Sequence, residues 1–144
     1  MKLKIVHDEM LKCTLKDDRI IIGEWEDKIF VSPDGYKSYI VPADKFFLDV
    51  EKVLRGRPKF QTDSFIKQER DAKQIFMTNE MKKLEKATVV KIGEKWVDVK
   101  NLKAFENPQF ATTGCRFSPI YIYENSELVG FTMPFNIKEE GEEK

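Results

Sequence analysis

Short segments with strand character alternate with turn signals in the first third of the chain, and this pattern restricts the fold most. Residues 20–25 and 29–31 are rich in β-branched and aromatic side chains, and residues 36–41 repeat that character. Between the last two, residues 33–35 (Pro-Asp-Gly) predict a hairpin turn, because proline presets φ and glycine accepts a positive φ. Strands joined by short turns pair antiparallel. The first third therefore predicts a three-stranded antiparallel meander.

The last third of the chain repeats this character. Residues 88–92 and 96–99 predict a ribbon of two strands around a glycine turn, and a helix of two turns or fewer is predicted at 100–105. Three further strands are predicted at 110–117, 119–123 and 128–135.

The two ends of the chain share one order of predicted elements. Residues 2–6 alternate between apolar and charged side chains and predict a strand, after which Asp8 caps a short helix that includes Met10. Residues 1–41 therefore predict a strand, a short helix and three strands, and residues 88–137 predict the same series. We expect an α+β fold with a duplicated βαβββ unit, an antiparallel sheet and short helices.

The middle of the chain, residues 44–86, predicts a helical insert between these halves. Residues 44–54 have apolar side chains at helical spacing, and Phe47 is expected to lie in the core. Residues 62–86 have helical composition with a weaker apolar period.

The chain has the size of one domain. With 144 residues, 41% hydrophobic and 12% aromatic, it can fill a single core. We expect this domain to cover residues 1–137, followed by a disordered acidic tail at 138–144. The first residues carry charges where a signal peptide is apolar, and no apolar run reaches the ~18 residues of a membrane span. These patterns predict a cytoplasmic protein with reduced cysteines and no membrane contact.

Charge is distributed unevenly, although basic and acidic residues are equal at 25 each. Residues 52–91 carry 11 basic and 5 acidic side chains. Within this stretch, Arg55, Arg57 and Lys59 precede Phe60, an arrangement that suits phosphate contacts with base stacking. A solubilising loop is the other interpretation, and the sequence leaves both open.

Catalytic chemistry is not indicated. His7 is the single histidine, and with Cys13 and Cys115 it supplies too few ligands for a zinc site or a hydrolytic triad. The carboxylate pairs Asp17-Asp18 and Asp44/Asp49 are typical of a turn and of a helix cap. We therefore expect no enzyme, no cofactor and no metal; a Cys–His nucleophile pair is the enzymatic alternative.

The terminal hairpin is unusually apolar on both of its faces. Tyr121, Tyr123, Phe131, Met133 and Phe135 exceed what one buried face requires. Either the hairpin lies between two layers or it lines a groove for a partner. Pro134 removes a backbone donor, so the terminal strand is expected at a sheet edge.

Three segments in the last third resemble the end of the bacterial DNA polymerase sliding clamp: 97–105 (VDVKNLKAF), 117–122 (FSPIYI) and 128–137 (LVGFTMPFNI). The opening, residues 3–6 followed by 10–12, resembles the strand and helix that begin a clamp domain. Clamp chains contain three such domains, whereas this chain has room for one, and residues 135 and 136 are Phe and Asn where the family has Met and Arg.

The resemblance implies a DNA-clamp-like fold and a non-catalytic role in DNA replication, with one face toward duplex DNA. It assigns DNA-backbone contacts to the lysines of the two short helices: Lys12, Lys16, Lys100 and Lys103. From the composition of the middle stretch, which the resemblance does not cover, Arg55, Arg57 and Lys59 are expected to add to the same basic surface. The resemblance assigns a groove for a peptide of a replication protein to the terminal strand: Phe131, Met133, Pro134 and Phe135. A homo-oligomer is also implied. The alternative is a protein-only interaction module, such as an accessory factor of a phage or mobile element, that does not bind DNA.

Overall fold

A computed structural model describes residues 1–15, 20–62, 67–114 and 118–135 of this chain. These residues form two antiparallel sheets and a few short helices. The helices are α1 (Leu3–Leu15) and α2 (Val50–Leu54), with 3₁₀ turns η1 (Ala43–Lys45) and η2 (Val99–Leu102). The strands are β1 (Ile21–Trp25), β2 (Lys28–Ser32), β3 (Lys37–Pro42), β4 (Lys73–Ile75), β5 (Met77–Lys83), β6 (Thr88–Ile92), β7 (Lys95–Asp98), β8 (Gln109–Thr112), β9 (Ile120–Glu124) and β10 (Glu127–Thr132).

The larger sheet joins the two predicted meanders into one surface. Its strand order is β1-β2-β3-β10-β9-β8-β4, and the meanders meet where β3 pairs with β10 through Tyr39 and Gly130. The second sheet has the order β5-β6-β7. The predicted α+β class, with antiparallel sheets and short helices, is confirmed.

The first hairpin forms for the reason that its sequence indicates. Gly35 has a φ of 84°, and the Asp34 carboxylate accepts hydrogen bonds from the backbone N–H groups of Tyr36 and Lys37. The Ser32 hydroxyl accepts from the Gly35 N–H as well. These bonds satisfy the backbone of the turn and fix the register of β2 against β3.

One face of the larger sheet carries the main core. Alternate residues of its strands, such as Ile22, Val31 and Val41, pack with Val6 and Met10 of α1. The same cluster includes Val53 and Leu54 of α2 and, from the second sheet, Val90, Ile92 and Val97. The helices and the second sheet therefore cover this face.

The other face of the larger sheet is aromatic and is also covered. Phe30 is 2% exposed, and its ring stacks on Phe60 and Phe131. Ala72 packs on the same cluster, and the Tyr123 hydroxyl donates a hydrogen bond to the Glu69 carboxylate. Positions 63–66 lie outside the described part. The described residues before and after them thus cover the two ends of this face. The apolar excess of the terminal hairpin is explained by burial between two layers.

This second face makes stability depend on pH in the alkaline range. Burial, together with the nearby Glu69 carboxylate, raises the pKa of the Tyr121 phenol to about 12. The unfolded phenol loses its proton above about pH 10, while the folded one retains it, so this stabilisation is complete below pH ~10 and is lost as pH rises toward ~12. We expect the free energy of unfolding to fall by about 1 kcal/mol more in wild type than in Tyr121→Phe between pH ~9 and ~11, measured by urea titration. Equal losses in both proteins would contradict this origin.

The predicted strand at residues 2–6 is wrong, because α1 begins at Leu3. Val6 and Met10 are fully buried at helical spacing, and Lys4 pairs with Asp8 one turn later at 2.9 Å. Five alternating residues could not distinguish a strand from a helix. The first half therefore lacks the opening strand of a βαβββ unit, and the proposed strand-then-helix opening is absent.

The helix predicted at 44–54 is shorter than expected. Asp49 caps α2 by accepting from the N–H groups of Glu51 and Lys52, and the helix ends at Arg55 in a left-handed conformation (φ 53°). The expected placement of Asp44 at the cap and Asp49 on the exposed face of the helix is therefore wrong: Asp49 is the cap, and Asp44 lies in η1. Phe47 lies before this helix and is 77% exposed, so its expected place in the core is wrong.

The helical insert at 44–86 is also wrong over most of its length. β4 pairs with β8, and β5 pairs with β6. Pairing with these neighbours decides the conformation in spite of a helical composition. The acidic tail at 138–144 lies outside the described residues.

Candidate functional site

β5 is the outer strand of the second sheet and is seven residues long. The Leu84 N–H donates to the Ala87 carbonyl at 2.8 Å, so it points toward β6. Because backbone groups alternate in direction along a strand, the N–H and C=O groups of Met81 and Lys83 point to the opposite side. No other strand in the described part of the chain lies along that side.

The remaining sheet edges are short or covered. Along β1, the Phe60 N–H donates to the Ile22 carbonyl at 2.7 Å, and the Thr62 hydroxyl donates to Glu24. Along β7, the Phe135 N–H donates to the Trp96 carbonyl at 2.7 Å. β4 has three residues. Among the described strands, β5 therefore presents the longest open edge.

Apolar side chains are exposed along this edge. Met77 lies opposite Ile92, and Met81 lies opposite Val90. Since directly opposite residues share a face, both methionines extend the core-facing side of the second sheet beyond the core. They are 46% and 58% exposed, and the preceding Phe76 is 70% exposed. We call Phe76, Met77 and Met81 the apolar edge.

A bulge lies between the two methionines of β5. Residues 78–80 oppose the single residue Lys91, since Met77 pairs with Ile92 and Met81 with Val90. The Thr78 hydroxyl donates to the Lys91 carbonyl at 2.9 Å and accepts from the Glu80 N–H at 3.1 Å. The bulge is thus fixed by its own side chain.

Basic side chains surround the apolar edge. Residues 76–86 contain three lysines and two glutamates, and all five are exposed. Glu80 lies 3.8 Å from Lys91, and the Lys82 ammonium lies 5.0 Å from the centre of the Trp96 ring. The surface of this edge is therefore net positive.

The basic residues predicted to contact DNA lie on several elements. Lys12 is exposed on α1, and Lys100 and Lys103 are exposed at η2. The Lys2 N–H donates to the Ala104 carbonyl, so η2 ends beside the first turn of α1; Lys12 is about 15 Å further along that helix. Lys16 lies outside the described residues. That these lysines share one face stays a prediction.

The predicted basic loop is partly engaged within the chain. The Arg57 guanidinium donates to the carbonyls of Val53 and Leu54, which closes the end of α2. Lys59 pairs with Glu24 at 3.2 Å and with Glu51 at 3.8 Å. Arg55 is exposed. These contacts favour a structural role for the loop.

The predicted partner strand is central, so its expected edge position is wrong. β10 lies between β3 and β9, and Phe131 is 7% exposed against Phe30. Met133, Pro134 and Phe135 are half-buried beyond the end of β10. The Met133 N–H donates to Tyr36, and the Phe135 N–H donates to Trp96, so this segment joins the two sheets. Pro134 lies past the strand and costs it no ladder bond.

His7 has a structural environment. Its Nδ1–H donates to the Leu3 carbonyl at 2.9 Å, and Nε2 accepts from the Phe47 N–H at 3.1 Å. The ring contacts those of Phe46 and Phe47, with centroids 5.5 and 5.0 Å away. Cys115 and Asp17-Asp18 lie outside the described residues. The described ranges contain no cluster of three His, Cys, Asp or Glu side chains arranged to hold a metal ion.

Sequence reasoning missed β5, and its residues explain why. Within residues 77–83 the single β-branched residue is Thr78, and the remaining side chains favour helices or loops. The signal that could have revealed β5 is in the residues that follow it. A two-stranded ribbon at 88–99 is marginally stable alone and needs a third strand.

None of the helices in the described part of the chain is both long and apolar enough to cross a membrane. Comparison with models of known protein families, with curated proteins and with solved structures found no match to this chain.

Proposed function

We propose that this chain is a non-catalytic protein-binding domain that takes an extended segment of a partner protein along β5. The observation that supports the proposal best is the open, seven-residue edge of β5 with the exposed Met77 and Met81 beside it. A strand added there pairs with the outward backbone groups of Met81 and Lys83, and its side chains pack on the apolar edge.

The chemistry of the edge suits such a partner. Backbone hydrogen bonds provide affinity without selecting a sequence, and each contributes about 1 kcal/mol net. Methionine side chains are flexible and polarisable, so they adapt to different apolar partners. The bulge at Thr78 limits the regular pairing surface to the second half of β5, which favours a short segment over a long strand.

Lys83→Pro tests the proposal, because the Lys83 N–H points away from β6. Proline removes this outward donor and leaves the bonds between β5 and β6 in place. Peptides selected from a random displayed library against the wild-type chain are expected to bind Lys83→Pro at least about tenfold more weakly. The matched control is Lys83→Ala, which removes the same charge and keeps the N–H; it should bind within about threefold of wild type.

Circular dichroism and thermal unfolding establish that both variants are folded. Selected peptides that bind Lys83→Pro as tightly as wild type would place the docking surface elsewhere. A library that yields no binder to the wild-type chain would contradict the proposed function.

A clamp-like domain on duplex DNA is a second candidate. The strand order supports it, because a series of three neighbouring strands lies on each side of the β3–β10 junction: β3, β2 and β1 on one side, and β10, β9 and β8 on the other. The packing of α1 and η2 side chains on one core cluster supports it as well. Its backbone contacts would include Lys12, Lys100 and Lys103. Binding to a mixed-sequence duplex that is measurable at about 50 mM salt and falls steeply by about 200 mM would favour it; no binding at the lower salt would exclude it.

A further inference from the structure

We infer that the segment received by β5 is acidic, with apolar side chains over Met77 and Met81 alternating with carboxylates. This inference rests on the proposed function, and it names the chemistry of the partner. Side chains of an added strand alternate between the two sides of the sheet. On one side they meet the apolar edge and Lys83, which follows Met81 by two residues; on the other they meet Lys82, which alternates with Met81 along β5.

Charge complementarity identifies the occupant. Of the charged residues at 76–86, Glu80 has a cation, Lys91, 3.8 Å away, which leaves Glu85 to offset the three lysines. The Lys82 ammonium lies over the face of Trp96, at the same edge. Carboxylates on the incoming strand are therefore attracted, and lysines are repelled.

The same lysines disfavour a second copy of this chain as the occupant. Two β5 strands side by side, each with the turn that follows it, would bring together two stretches with three lysines and two glutamates each. Lysines on an open edge are a common device against indiscriminate strand pairing, and they select a partner of opposite charge.

Three synthetic peptides of about nine residues test the inference: valine alternating with glutamate, with glutamine or with lysine. At about 50 mM salt the glutamate peptide is expected to bind about five- to tenfold more tightly than the glutamine peptide, and the lysine peptide more weakly than either. The preference should shrink at about 500 mM salt, because exposed charges are then screened.

Lys82→Glu/Lys83→Glu is expected to reverse the preference in favour of the lysine peptide. Lys45→Glu/Lys52→Glu is the matched control: it makes the same change in net charge on η1 and α2, and it should keep the wild-type order. Equal binding of the glutamate and glutamine peptides, both lost in Lys83→Pro, overturns the inference and leaves the proposed function intact.

Two other outcomes would contradict the inference. If no peptide of any charge binds the wild-type chain and the displayed library yields no binder, the proposed function fails and the inference with it. If sedimentation shows a dimer that dissociates in Lys83→Pro, the occupant is a second copy and the acidic partner is excluded.

Discussion

Phe131→Ala is expected to lower the free energy of unfolding by about 3–5 kcal/mol, the range for a buried aromatic side chain. Phe131 is 7% exposed, and its ring stacks on Phe30 at a centroid distance of 6.0 Å. The matched variant is Phe47→Ala, which removes the same atoms from a side chain that is 77% exposed. Its cost should stay below about 1 kcal/mol, because little of the ring leaves water on folding.

Urea unfolding followed by tryptophan fluorescence measures both variants. A cost below about 1 kcal/mol for Phe131→Ala would show that this side chain is not core. The apolar terminal hairpin would then again be a candidate groove and would compete with β5 as the docking surface.

Gly130→Ala is expected to destabilise the chain by about 3 kcal/mol or more, because the strands meet too closely there for a side chain. An added Cβ would lie 2.3 Å from the Ser38 carbonyl oxygen and 2.9 Å from the Phe105 ring. Gly130 pairs with Tyr39 at the junction of the two meanders, so the strain falls where the larger sheet is joined. The Ser38 carbonyl oxygen belongs to the backbone, so it cannot move aside as the end of a flexible side chain could.

Gly114→Ala provides the control, because an added Cβ there has no heavy atom of the described residues within 4 Å. Its effect should be within about 0.5 kcal/mol of zero. A Gly130→Ala protein as stable as wild type would contradict the close approach of β3 and β10, and with it the continuous seven-stranded sheet.

The parts of the fold that follow from local chemistry were predictable. The turn at Asp34 and Gly35 follows from the conformational preferences of residues 33–35 (Pro-Asp-Gly). The strands that it joins lie where the β-branched runs predict them. An aspartate cap was also predictable for the helix that follows, although Asp49 provides it and Asp44 does not. Such elements depend on residues that are close in sequence, so the sequence alone indicates them.

The parts that depend on distant partners were not predictable. Residues 77–83 form a strand because β6 offers a backbone to pair with, and residues 3–6 are helical because Val6 and Met10 pack on the larger sheet. The Phe47 N–H bonds to His7, 40 residues away. Local propensities are too weak to reveal such contacts.

The candidate site shows the same division. The apolar character of the terminal hairpin was evident, but its cause, burial between two layers, required Phe60 and Ala72 on the outer face of the larger sheet. The lysines of β5 were visible as part of a basic middle stretch. Their position on an open edge became apparent once β5 and β6 were paired.

Backbone amide exchange along β5, measured by NMR with and without the glutamate–valine peptide, tests docking at this edge most directly. In the free chain the Lys82 and Leu84 amides, which point toward β6, should exchange slowly, and those of Met81 and Lys83 should exchange fast. At saturating peptide the Met81 and Lys83 amides should slow by about tenfold or more, while Lys82 and Leu84 change little. Bound peptide with unchanged exchange at Met81 and Lys83 would contradict strand addition at β5.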